Sequence, residues 1–142
     1  MGVKRKTYID MIVVNSKEEL IKLINQRIKE QGNNCNLNDI DVSKITDMSY
    51  LFIESDFNGD ISEWDVSNVE DMSWMFEGSK FTGDINEWDV SSVKNMKEMF
   101  YESQFDGDIS KWDVSNVETM EDIFTRAPLG EHEPEWWFRH RE

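Results

Sequence analysis

Phe57-Asn58-Gly59-Asp60-Ile61-Ser62-Glu63-Trp64-Asp65-Val66-Ser67-Asn68-Val69 returns as Phe81 to Val93 and again as Phe105 to Val117, each time 24 residues on. The apolar positions keep step: Ile61, Ile85 and Ile109; Trp64, Trp88 and Trp112; Val66, Val90 and Val114; Val69, Val93 and Val117. Met72, Met96 and Met120 continue the series, as do Phe76, Phe100 and Phe124. One step back stands a weaker copy, with Leu37, Ile40, Val42, Ile45, Met48, Leu51 and Phe52 in these slots. One step forward, Leu129, Trp136 and Phe138 fall in the Phe, Trp and Val slots. A fixed period of this length means stacked supersecondary units, each too small to bury its apolar face alone. The pattern predicts a short solenoid.

Within a unit, Ile61-x-x-Trp64-x-Val66-x-x-Val69 has the apolar spacing of a leucine-rich repeat. Trp64 and Val66 alternate with Glu63, Asp65 and Ser67, the period of a strand with one buried side. Val69, Met72 and Phe76 then fit one stripe of a short helix, with Ser67 before Glu70 as its capping box. Gly59, Gly83 and Gly107 share a slot that needs positive φ or close backbone approach. The expectation is an α/β solenoid, a right-handed leucine-rich-repeat-like stack of strand and short-helix coils.

These units resemble the BspA-like leucine-rich repeat family, known also from mycoplasma surface lipoproteins. The motif F-x-G-D-I-x-x-W-D-V-S-x-V-x-x-M-x-x-M-F stands here as Phe57 to Phe76, as Phe81 to Phe100 and, with Ile123 for the second Met, as Phe105 to Phe124. The resemblance covers roughly residues 33 to 138. It implies a non-enzymatic binding scaffold, often on a bacterial or protozoan surface, and it names no ligand.

The ends read differently. Tyr8 to Val14 predicts a strand, and Ser16-Lys17-Glu18-Glu19 opens a helix running to about Gln31, with Leu20, Leu23, Ile24 and Ile28 on one face and Gly32 as its stop. This strand and helix, residues 1–32, would cap the open end of four coils over 33–127. Residues 128–142 would close the other end with Leu129, Trp136 and Phe138, and Pro128 and Pro134 would stop the ladder there. All three parts make one domain.

Composition narrows the function classes. The chain carries a formal net charge of −15. Residues 1–34 hold a net +3, residues 35–126 a net −16 and residues 127–142 a net −2. An acidic body with little to neutralise phosphates excludes direct nucleic-acid binding and favours a protein partner with a basic surface. No apolar run reaches the ~18 residues of a membrane span. Met1 to Thr7 has a basic start but no signal h-region follows, and Lys6 fills the hydroxyl slot of the myristoylation pattern. As written, the chain reads as cytoplasmic; a cell-surface location would require a leader already removed. Cys35 stands alone, so no internal disulfide forms, and its slot is that of Gly59.

Catalysis finds little support. His132-Glu133-Pro134-Glu135-Trp136 begins like a zinc-protease motif, yet Trp136 stands where the second histidine must be. Asp56-Phe57-Asn58-Gly59-Asp60 begins like a calcium loop, yet Ile61 and Ser67 stand where Gly and Glu are needed. The sequence therefore implies no enzyme, metal or cofactor. Two surfaces stand out instead. One is an acidic strand face of Asp41, Glu63, Asp65, Glu87, Asp89 and Asp113, whose aspartates would either close Asx turns or form a charged ladder. The other is an aromatic helix edge where the repeat breaks its own rule. One outer slot reads Tyr50, Trp74, Glu98, Asp122 and the next Ile53, Glu77, Tyr101, Thr125; Trp137 is a further contact candidate between the two closing positions. The expected function is protein binding through either face. The competing expectation is an acidic inhibitor that mimics nucleic acid in the basic channel of another protein, such as a phage anti-defence factor. The sequence leaves the oligomeric state open.

Overall fold

The computed structural model describes residues 11–140. Its regular elements lie at the ends: β1 (Ile12–Val13), α1 (Lys17–Gln31), β2 (Ile40–Asp41), a single 3₁₀ turn (Pro128–Glu131) and α2 (Glu135–His140). The strand expected from Tyr8 is seen only from Ile12, because Tyr8 to Asp10 lie outside the described residues, as does Met1 to Thr7. β1 pairs in parallel with β2, Ile12 opposite Ile40 and Val13 opposite Asp41. α1 starts where its capping box predicts. Ser16 Oγ accepts the Glu19 amide at 3.1 Å, and Glu19 Oε2 accepts the Asn15 amide at 3.1 Å. At its other end Gly32, at φ 88, returns its amide to the Ile28 carbonyl. Leu20 and Ile24 are buried, and Leu23 and Ile28 pack against the same core.

Between the caps the units are built of turns. The short helix expected over Val69 to Phe76 does not form, nor does the strand expected at Trp64 and Val66. Trp64 donates its amide to the Ile61 carbonyl and Val69 to the Val66 carbonyl, each closing a turn of four residues. Ser67 caps no helix; it donates to Asp65 two residues back, through both its amide and its hydroxyl. Helical periodicity was mimicked because overlapping turns also return the chain to one face every three or four residues.

Successive units are tied backbone to backbone. Trp74, Phe76 and Gly78 donate their amides to Lys97, Met99 and Tyr101 carbonyls, and Glu98, Phe100 and Glu102 repeat this onto Glu121, Ile123 and Thr125. Parallel bridges join Asp47 to Asp71, Asp71 to Asn95 and Asn95 to Thr119. This ladder needs a left-handed backbone at the third residue of each of its turns. Tyr50, Trp74, Glu98 and Asp122 all have φ between 50° and 62°, and Glu54, Glu102 and Arg126 in the next such slot lie between 52° and 59°. Gly78 fills that second slot in one unit at φ 63. Such angles strain residues that carry a Cβ, so the ladder holds the backbone there against local preference.

Rings stack along the core at the unit spacing. Phe52, Phe76 and Phe100 sit 5.6 Å apart centroid to centroid, and Phe57, Phe81 and Phe105 sit 6.2 Å apart. In the core slot each tryptophan Nε1 donates to a carbonyl of the preceding unit: Trp64 to Leu37, Trp88 to Ile61, Trp112 to Ile85 and Trp136 to Ile109, at 2.8–3.1 Å. Trp136 thus fills the predicted tryptophan slot, and Leu129 is buried as expected. Phe138 does not fill the valine slot; it stands 52% exposed, because α2 turns the chain away after Trp136. The shared glycine slot reflects close approach. A Cβ on Gly83 would meet the Phe81 ring at 2.7 Å, and one on Gly59 would meet the Cys35 carbonyl at 1.8 Å. Cys35 is buried, and that burial pushes its thiol pKa up, as befits a structural thiol.

Candidate functional site

The aromatic edge is assembled by the strained turns. Left-handed φ at Tyr50 and Trp74 turns both side chains out of the core, and the ladder bond from the Tyr50 amide to the Ser73 carbonyl sets their spacing. The two rings stack at 4.9 Å with an interplanar angle of 8°. Lys17 Nζ lies 5.9 Å from the Tyr50 centroid and Lys97 Nζ 5.4 Å from that of Trp74. Lys17 is anchored by Ser49 Oγ at 2.8 Å and Asp47 Oδ1 at 3.4 Å. The result is a stack of two rings between two cations. Ile53 ends the turn that begins at Tyr50, and both are exposed. Tyr101, one unit beyond Glu77, is half-buried. These residues lie on turns rather than on the helix edge expected.

Carboxylates lie to one side of this edge, where Glu77 closes a turn onto the Trp74 carbonyl. Burial, then the charges of Glu98, Glu54 and Glu102, raise the Glu77 carboxyl above its ordinary pKa. Four glutamates thus share one field beside the ring stack.

The acidic face is drawn from the expected residues, but all four of its aspartates work as turn formers. Asp41, Asp65, Asp89 and Asp113 each accept the amide two residues ahead at 2.9–3.0 Å, from Ser43, Ser67, Ser91 and Ser115. Ser67 and Ser91 add their hydroxyls at 2.6 Å. The serine bonds hold the Asp89 and Asp113 carboxyls below their ordinary pKa. Asp65, Asp89 and Asp113 remain exposed, whereas Asp41, in β2, is half-buried. The same device recurs at Asp60, Asp84 and Asp108 and at Asp47 and Asp71. Glu63 is exposed, and Glu87 reaches Lys111 one unit on, at 3.5 Å. Similar inter-unit pairs join Lys80 to Asp56, Lys94 to Glu70 and Arg126 to Glu102. The ladder repulsion is therefore offset by turns and scattered cations. Trp137 is half-buried, edge-on to Phe124 at 5.7 Å, so it packs on the core end as well as reaching solvent.

Sequence reasoning missed Lys17 and Lys97. Lys97 could have been found one residue before Glu98 in the outer slot; Lys17 lies in a distant helix, and only the tertiary fold brings it to Tyr50. Among the described residues, no cluster of three or more His, Cys, Asp or Glu could hold a metal ion. None of the described helices is long and apolar enough to cross a membrane.

Stacked 24-residue units with buried ring columns and outward turns place the chain among repeat proteins of the mycoplasma type. It belongs to the family described as Mycoplasma protein of unknown function, DUF285, whose model matches residues 21–137. No curated protein matches the chain, and no solved structure does.

Proposed function

We propose that the chain is a non-enzymatic protein-binding module, a solenoid of the BspA-like leucine-rich-repeat kind. Its partner docks a basic surface on the ring stack of Tyr50 and Trp74. The carrying observation is that stack: two large aromatic side chains held outside the core, at backbone angles that cost energy, and bordered by Glu54, Glu77, Glu98 and Glu102. The rings supply a desolvated anchor. The glutamates steer a basic partner and exclude acidic ones. Ile53 and Tyr101 extend the contact, and Asp65, Asp89 and Asp113 give a second acidic flank. The inter-unit ladder and the ring columns support the solenoid reading.

The inhibitor reading keeps the −16 body as its support. It is weakened by Lys80, Lys94, Lys111 and Arg126, which interrupt the even run of carboxylates a phosphate mimic needs.

Affinity capture from the native host with the intact chain, followed by association kinetics with the captured protein, tests the proposal. Trp74→Ala should raise the off-rate by roughly tenfold or more, as for other interface anchors. Binding unchanged by Trp74→Ala, yet lost in Asp65→Asn/Asp89→Asn/Asp113→Asn, would move the site to the acidic strand face.

A further inference from the structure

Along the stretch from Met72 to Gly78 and its equivalents, the bonds between units run in one sense. In each unit the alternate amides point forward, Trp74, Phe76 and Gly78 to the next unit's carbonyls, then Glu98, Phe100 and Glu102 to the next. In the last unit the equivalent amides are those of Asp122, Phe124 and Arg126, and among the described residues no acceptor meets them. Asp122, Phe124 and Arg126 line a cleft of about 330 Å³ together with Gly130, Glu131, Glu133 and Trp137. Gly130 lets the closing segment lie against this edge, since a Cβ there would come within 3.0 Å of the Phe124 carbonyl.

An ordinary strand edge alternates donors and acceptors; the stretch from Asp122 to Arg126 offers donors alone, the Glu118 carbonyl lying before it. Its complement is a row of acceptors. Asp122, Glu131 and Glu133 on the cleft wall disfavour anionic acceptors such as carboxylates or phosphates, and Arg126 is already engaged by Glu102 at 3.0 Å. Neutral backbone carbonyls flanked by basic side chains satisfy both conditions. A second copy of the chain would have to bring its own acceptor edge to the cleft. That edge lies beside α1, whose Lys17 is bonded to Ser49, and a helix is about 10 Å thick against a ladder spacing of about 4.8 Å. A single peptide segment meets no such obstacle.

We propose that the cleft at the end of the ladder binds a basic peptide segment of a partner protein through its backbone carbonyls, seated on the Asp122, Phe124 and Arg126 amides. This surface is separate from the Tyr50–Trp74 edge and does not depend on it. The test uses the whole chain, labelled with ¹⁵N, and two synthetic nine-residue peptides, one alternating Lys with Val and one alternating Glu with Val. In the free protein the amides of Asp122, Phe124 and Arg126 should exchange with solvent much faster than those of Glu98, Phe100 and Glu102. The Lys peptide should shift and protect those three amides, and Glu131→Gln/Glu133→Gln should weaken it about fivefold at low salt. Trp74→Ala should leave it unchanged. The proposal is overturned if the three amides are already protected in dilute protein, or if protection follows protein concentration instead of peptide. It is overturned equally if neither peptide binds, or if the Glu peptide binds as well as the Lys peptide.

Discussion

Two sets of stacked rings run along this molecule, one inside and one outside, and they obey different rules. Phe76 and Phe100 stack at 5.6 Å in full burial, and their slot is phenylalanine in every unit from Phe52 to Phe124. Tyr50 and Trp74 stack closer, at 4.9 Å, in partial exposure, and their slot becomes Glu98 and Asp122 in the next two units. The inner column is required by every unit, because each must bury the same face. The outer pair serves no such need, since the ladder beneath it continues unchanged through Glu98. The scaffold is indifferent to the side chain in that slot, and the proposed binding role rests on two adjacent units carrying aromatics there.

The largest expected effect breaks the inner column. Trp88→Ala removes a buried indole and its bond to the Ile61 carbonyl, and should destabilise the chain by roughly 3–5 kcal/mol. A thermal melt within a few degrees of the parent would mean the inner rings do not carry the fold. Gly83→Ala should follow, at about 1–3 kcal/mol, because the added Cβ meets a fully buried ring that has no room to yield. Chemical denaturation measures both.

Trp74→Ala should cost stability far less, about 0.5–1.5 kcal/mol for a lost exposed ring pair, while its effect on binding is large. Equal damage to stability and binding would make the outer pair a structural extension of the inner one. Glu102→Gly sharpens the point about strain. Its left-handed φ matches that of Gly78 one unit earlier, so the change should be neutral or stabilise by up to about 1 kcal/mol, the lost surface pair to Arg126 contributing little.

The smallest effect is in pH. Glu77 has a raised folded pKa, so the folded state gains as pH falls from neutrality through that value toward the ordinary 4.5. Asp47 and Asp89 have lowered folded pKa values, so their contribution is complete above the ordinary 3.8 and is lost as pH falls below it. The melting temperature should therefore rise gently on mild acidification and fall in stronger acid. Glu77→Gln should flatten the rise while leaving the fall; a monotonic decline from neutral pH in the parent would contradict this.

By itself, the sequence determined the 24-residue period, the buried slots, the α1 cap with both its ends and the Trp136 closure, and it reduced Asp65, Asp89 and Asp113 to two roles, Asx turn or charged ladder. All of these follow from apolar spacing or from bonds between residues two to four apart. The tertiary structure alone decided what the units are made of. A stripe at Val69, Met72 and Phe76 is the same for a helix and for overlapping turns, and only the amide-to-carbonyl bonds between units select the turns. Those bonds also force left-handed angles on Tyr50 and Trp74 and leave the Asp122, Phe124 and Arg126 amides without an acceptor among the described residues, while the packing of α1 brings Lys17 to the ring stack. The first two depend on which backbone group meets which across units, and local side-chain pattern does not encode that pairing.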